Sequence, residues 1–348
     1  MDVPFAQGTF VKLVSSGARK PLSAYRLTDM DSCLHFFRCL DTDGVMRDSV
    51  GNVTLSSGAA LSTGGTLSLT YDSALKALSS NMLNTTNPVA IGGGWTGVSG
   101  ALLVLYCGRI TSFADVRVSL GDVNGLMGGN SYGIGVPGNA APHVAVRGPN
   151  GLNKNIQVGI HTYSLSGGAG YSAGLTATHV PGTSGTGVVV APPSVSGGAI
   201  TDIEFIHAGY DFIASSDPAV VGTLNFSQVG SPVATYTLTG GLAAGLDSYH
   251  VGKDILFLAK YTPGNQLYFN AFDVNDGTEY LRCTVDSGVT AYDVGAFTPD
   301  AYMRWSGLSL YGCAVFEFDV IPDDWLVAAK WMAASWKTGD KYLWPGWA

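Results

Sequence analysis

Acid chemistry on this chain would have to rest on few groups, since it contains three glutamates, Glu204, Glu279 and Glu317. Glycoside hydrolysis needs two carboxyl groups about 5 to 9.5 Å apart, flanking the scissile bond. Glu317 and Asp319 come closest, alternating in Ala314-Val315-Phe316-Glu317-Phe318-Asp319-Val320. Period-2 spacing puts both on one strand face, and the simplest reading is the solvated side of an amphipathic strand. Gly170-Tyr171-Ser172-Ala173-Gly174 spells G-x-S-x-G. A nucleophile elbow needs a strand before the serine and a helix after it. Leu175-Thr176-Ala177-Thr178-His179 carries no helical period, so Ser172 is expected in a loop. Gly133-Ile134-Gly135-Val136-Pro137-Gly138 matches G-x-G-x-x-G, but Pro137 and Pro142 exclude the helix that would meet a dinucleotide's pyrophosphate.

Oxygen-rich turns are the chain's best offer to a hard cation. Asp41, Asp43 and Asp48 are the candidate calcium ligands, without the spacing of an EF-hand loop. No other cofactor is expected. The six histidines, His35, His143, His161, His179, His207 and His250, never fall at metal-ligand spacing and read as isolated core or surface residues. Trp95, after Gly92-Gly93-Gly94, is a candidate platform for stacking a sugar ring. The final segment Tyr342-Leu343-Trp344-Pro345-Gly346-Trp347 places Trp344 and Trp347 as candidate anchors, docking on their own domain or in another subunit.

Composition removes several classes of function. The formal charge is −8, with 18 Lys+Arg against 26 Asp+Glu. Nucleic acid is therefore not expected as a principal partner, because phosphate neutralisation needs cations. Charged residues make up 13%, about half the usual share, and hydrophobic residues 46%, so a packed core is expected rather than disorder. No apolar run approaches the ~18 to 20 residues of a membrane-spanning helix. The opening Met1-Asp2-Val3-Pro4-Phe5 has no basic region followed by an apolar one, so no secretory signal is expected. Five scattered cysteines, Cys33, Cys39, Cys107, Cys283 and Cys313, read as buried free thiols of a protein assembled in a reducing cytoplasm.

The elements that would position these groups are mainly strands. Asp254–Tyr261, Gln266–Phe272 and Thr278–Val285, separated by Pro263-Gly264-Asn265 and Asn275-Asp276-Gly277, predict a three-stranded meander. Ala101–Cys107 is apolar at every position and predicts a strand covered on both faces. Strands are also expected at Asn155–Tyr163 and at 314–320, with Phe316, Phe318 and Val320 on the inner face. Thr223–Val229 and Val233–Thr239 read as a hairpin around Gly230-Ser231-Pro232. Asp72–Leu78 carries a two-turn helical signal. A stronger one covers Asp323–Lys337, where Trp325, Ala328, Ala329, Met332 and Trp336 form one stripe. Residues 1–30 are expected to form an arm or first strands. Residues 31–338 are expected to form one sandwich with long loops or a glycine-rich insertion over about 147–200, and residues 339–348 a tryptophan-rich tail.

Two stretches carry a family resemblance. Leu34-His35-Phe36-Phe37 followed by Asp48-Ser49-Val50-Gly51-Asn52 resembles the opening of laminin-G/concanavalin-A-like lectin modules. Phe316–Val320, then Ile321-Pro322-Asp323-Asp324-Trp325-Leu326 and a helix, resembles their closing element. The helix start departs from the family's usual pattern, and no family calcium ligand transfers to a position here. The resemblance implies an all-β, antiparallel jelly-roll β-sandwich with one short C-terminal helix, of the kind found in bacteriophage virion and tail proteins. It further implies a non-enzymatic structural role in the virion, as a tail or head appendage or decoration protein. The expected partners are other virion proteins, copies of the chain itself and a host surface glycan. A carbohydrate-active enzyme on the same sandwich, or a free lectin, is the alternative.

Overall fold

The computed structural model describes residues 32–39, 43–50, 53–61, 64–82, 89–90, 101–112, 117–121, 145–147, 153–155, 159–241, 246–262, 266–285 and 302–338. Their chain order begins with β1 (Cys33–Arg38), β2 (Met46–Asp48), β3 (Thr54–Leu55), β4 (Leu69–Asp72), β5 (Ala77–Ser80), β6 (Val89–Ala90), β7 (Ala101–Ile110) and β8 (Arg117–Gly121). It continues with β9 (Ala145–Arg147), β10 (Asn153–Asn155), β11 (Gly159–Ser166), β12 (Ala177–Val180), β13 (Thr186–Val190), β14 (Ser194–Ser196), β15 (Ala199–Asp202) and β16 (Phe205–Tyr210). The one-turn helix α1 (Pro218–Val221) precedes β17 (Thr223–Phe226) and β18 (Thr235–Gly241). The chain then forms β19 (Asp254–Thr262), β20 (Gln266–Asp273), β21 (Glu279–Val285), β22 (Tyr302–Ser306), β23 (Leu308–Phe318) and α2 (Trp325–Thr338).

The fold is all-β and antiparallel, with a C-terminal helix as expected. Its frame is one large sheet in the order β21-β20-β19-β7-β23-β1-β2-β3, with the β4–β5 hairpin joined to the end of β23. β7 lies in the middle, and its side chains alternate between two cores. Leu103, Leu105 and Cys107 enter one, while Val104, Tyr106 and Ile110 enter the other. That double burial is why the strand reads as an uninterrupted apolar run.

The small sheet β6-β22-β8 supplies Val89, Met303, Trp305 and Val118 to the core on one face. On the other face α2 lays Ala328, Ala329, Met332, Ala333 and Trp336 against Phe36, Leu105, Leu256 and Phe316. The helical stripe expected from sequence is the packed one, and β19–β21 form the expected antiparallel meander.

Four expectations are corrected. Residues 72–78 run from the end of β4 through a turn at 73–76 into β5, because the Asp72 carboxylate accepts hydrogen bonds from the Ala74 and Leu75 amides and closes a hairpin. β17 and β18 do not pair with each other. β17 pairs with β12 and β18 with β11, so the hairpin around residues 230–232 is absent. The stretch 159–200 is largely stranded, and 159–241 gathers around its own core of Ile160, Tyr171, Leu175, Phe212, Val221 and Leu238. The long loops expected there are instead two-stranded ribbons: β11–β18, β12–β17, β13–β16 and β14–β15. Finally, β23 is buried almost throughout rather than half-buried, and Val320, placed inward from its period, lies beyond the strand end at 81% exposure.

Candidate functional site

Among the described residues, a concavity lies where β7 begins and β19 and β23 end. Cross-strand registers Phe318↔Ala101 and Lys260↔Leu103 bring these positions to one rim, and the chain leaving β23 turns back over it into α2. The resulting hollow of about 380 Å³ is lined by Ala101, Lys260, Asp319, Val320, Ile321, Pro322, Asp323 and Trp325. That size sits at the low end of the ~300 to 1,000 Å³ usual for ligand pockets.

Aromatic rings hold the lysine. The Lys260 ammonium lies 4.9 Å from the Trp325 ring centre and 5.7 Å from that of Tyr268, and the two rings meet edge to face at 5.8 Å. Burial pulls Lys260 below the ordinary lysine range. Among the described residues, no ion pair joins Lys260 to Asp319 or Asp323. The hollow therefore offers an ammonium donor, two carboxylate acceptors and an aromatic wall. Asp319 and the Trp325 stripe were visible in the sequence; a single lysine on a strand gives no signal of its own.

The candidate calcium ligands are not brought together. Asp48 is buried: its Oδ2 lies 2.6 Å from His35 Nδ1, and its Oδ1 accepts from the Phe36 and Val50 amides. Asp43 is surface-exposed and paired with Arg47. Arg47 and Asp48 are neighbours on β2 and point to opposite faces, which separates the two carboxylates. Asp41, Trp95, Trp344 and Trp347 lie outside the described residues. Among those described, no cluster of three or more His, Cys, Asp and Glu has the makings of a metal site.

Ser172 sits in a loop as expected, where its amide and hydroxyl both donate to Gln228 Oε1. The three glutamates go separate ways. Glu204 accepts from the Ser248 hydroxyl, Glu317 lies on β23, and Glu279 occupies the junction between the 159–241 unit and the large sheet. There Glu279 binds Arg282 through two contacts of 2.8 and 3.0 Å and lies 3.3 Å from His207. Burial would raise the Glu279 carboxyl, but His207 and Arg282 outweigh it and hold the carboxyl below its usual range. Arg282 also covers the Tyr210 ring at 4.9 Å. This junction was missed from sequence because its members come from β16 and β21, more than 70 residues apart.

A second polar network centres on buried Asp254. Arg109 binds it at 2.7 and 3.0 Å, Lys337 at 2.7 Å and the Tyr311 hydroxyl at 2.7 Å. Burial pushes the Asp254 carboxyl up, and these donors more than reverse it, leaving the group well below the carboxylate range. With Lys337 on α2, the network fastens the helix end to the sheet. No family model matches the chain, and no curated protein is significantly similar to it.

Proposed function

We propose that this chain is a non-enzymatic structural module of a bacteriophage virion, a tail or head appendage or decoration protein, with a jelly-roll sandwich that adheres to a host surface glycan. The reading rests on the corner hollow: sugars present an apolar C–H face and a rim of hydroxyls, and Trp325 beside Lys260, Asp319 and Asp323 offers a counterpart for each. An appendage also needs a rigid frame. Here the frame is a sheet packed on both faces, with α2 tied down through Asp254.

Two measurements test the proposal. Mass spectrometry of purified particles from the source encoding the chain should find it as a virion component; its absence from particles would refute the structural role. A glycan array probed with the whole chain should give saturable binding that Trp325→Ala weakens by about tenfold or more, the loss of one anchor of ~1.4 kcal/mol. An array that stays blank removes the adhesive role.

Asp319 and Asp323 lining one hollow also favour a second reading, glycoside hydrolysis. Asp319 and Asp323 are both open to solvent, whereas a general acid is set in an apolar wall. Release of reducing ends from a bound oligosaccharide, abolished by Asp319→Asn, would establish hydrolysis over adhesion.

A further inference from the structure

We infer that the corner hollow selects an uncharged pyranoside with adjacent hydroxyls and discriminates against acidic sugars; this rests on the glycan-binding reading above. The hollow carries one ammonium, Lys260, and two carboxylates, Asp319 and Asp323. An anionic ligand would gain one attraction and meet two repulsions. A neutral sugar meets none of that opposition. Paired hydroxyls donate to a carboxylate, the ammonium donates to a hydroxyl or ring oxygen, and the ring's C–H face lies on Trp325.

The two aromatic rings strengthen this selection. The Lys260 charge is already turned toward the π faces of Trp325 and Tyr268, which stabilise it without a carboxylate partner. The site therefore does not need an anionic group from its ligand. The wider field acts in the same direction. The chain carries a formal charge of −8, and no Lys or Arg occurs between Lys154 and Lys253, while Asp202, Glu204, Asp211, Asp217 and Asp247 do. A polyanionic glycan approaching the molecule would be repelled before it reached the hollow.

The test is calorimetric titration of the whole chain with matched oligosaccharides, neutral gluco-, galacto- and manno-oligomers against oligoglucuronate and oligogalacturonate, at low and high salt. At least one neutral oligomer is expected to bind with an affinity indifferent to salt. Its uronate counterpart should bind at least about fivefold more weakly at low salt, with the gap closing as salt rises. Asp319→Asn and Asp323→Asn, both surface changes, should narrow the gap by weakening the neutral ligand and relieving the acidic one. Uronates binding as tightly as neutral oligomers, or alone, would overturn this inference and leave the glycan reading standing. Binding by neither class overturns both.

Discussion

Trp336 of α2 lies flat against Gly312 of β23, so that a Cβ at position 312 would fall 2.7 Å from the indole Cδ2. The same indole meets Phe36 at 5.5 Å between ring centres, and the three residues join the helix to the centre of the sheet. Gly312→Ala should therefore push the helix off its seat and destabilise the fold by about 1 to 3 kcal/mol. Chemical denaturation should show this as a lower midpoint with little change in slope. A midpoint equal to that of the native chain would show that the helix adjusts at no cost.

The carboxyl of Asp254 is held lower in the folded chain than in the unfolded one. Its contribution to stability is thus complete above the unfolded value of about 3.9 and declines as pH falls below it toward the folded value. Asp254→Asn should destabilise by about 3 kcal/mol at pH 7, because Arg109 and Lys337 lose their shared partner. Urea melts on either side of that pH should show the variant's deficit shrinking in acid. A deficit that does not change with pH would assign the loss to packing.

Cys33, Cys39, Cys107 and Cys313 are buried and form no disulfide, and burial raises the thiols of Cys33, Cys107 and Cys313. All four should resist a disulfide reagent in the native chain and react once it unfolds. Peptide mapping after labelling identifies each site, and native labelling at any of the four would show that the two sheet cores open locally.

Phe212 packs within the separate core of residues 159–241, against Gly185 and Gly209. Phe212→Ala should cost about 3 to 5 kcal/mol. Hydrogen exchange should accelerate across 159–241 while β7 and β19 keep their protection. Acceleration that reaches β7 would mean that the two cores unfold as one.

The legible parts of this sequence were those whose periodicity answers to two-sided burial or to a helical stripe: β7, the meander β19–β21 and α2. Asp72 combines the signal of a helix start with the outcome of a turn. An aspartate accepting from amides two and three residues onward is what an N-cap does, and the same bonds here close a hairpin turn. For β17 and β18, sequence showed two strands but not their partners, which pair from 43 to 82 residues upstream. The ribbons of 159–241 escaped notice because Gly, Ser and Thr give little hydrophobic alternation. At the hollow, Asp319 and Trp325 stood out on local pattern, while Lys260 became part of the site only through the register of β19 with β7.

The central position of β23 bears on how the chain is made. β7 and β1 both hydrogen-bond to residues 308–318, about 200 positions or more downstream of either. Until the ribosome has released those residues, β7 lacks one of its two neighbours and its apolar face stays open to water. Folding of the large sheet is therefore deferred until residues 308–318 have been translated, and the nascent chain exposes the apolar side chains of β7 in the interval.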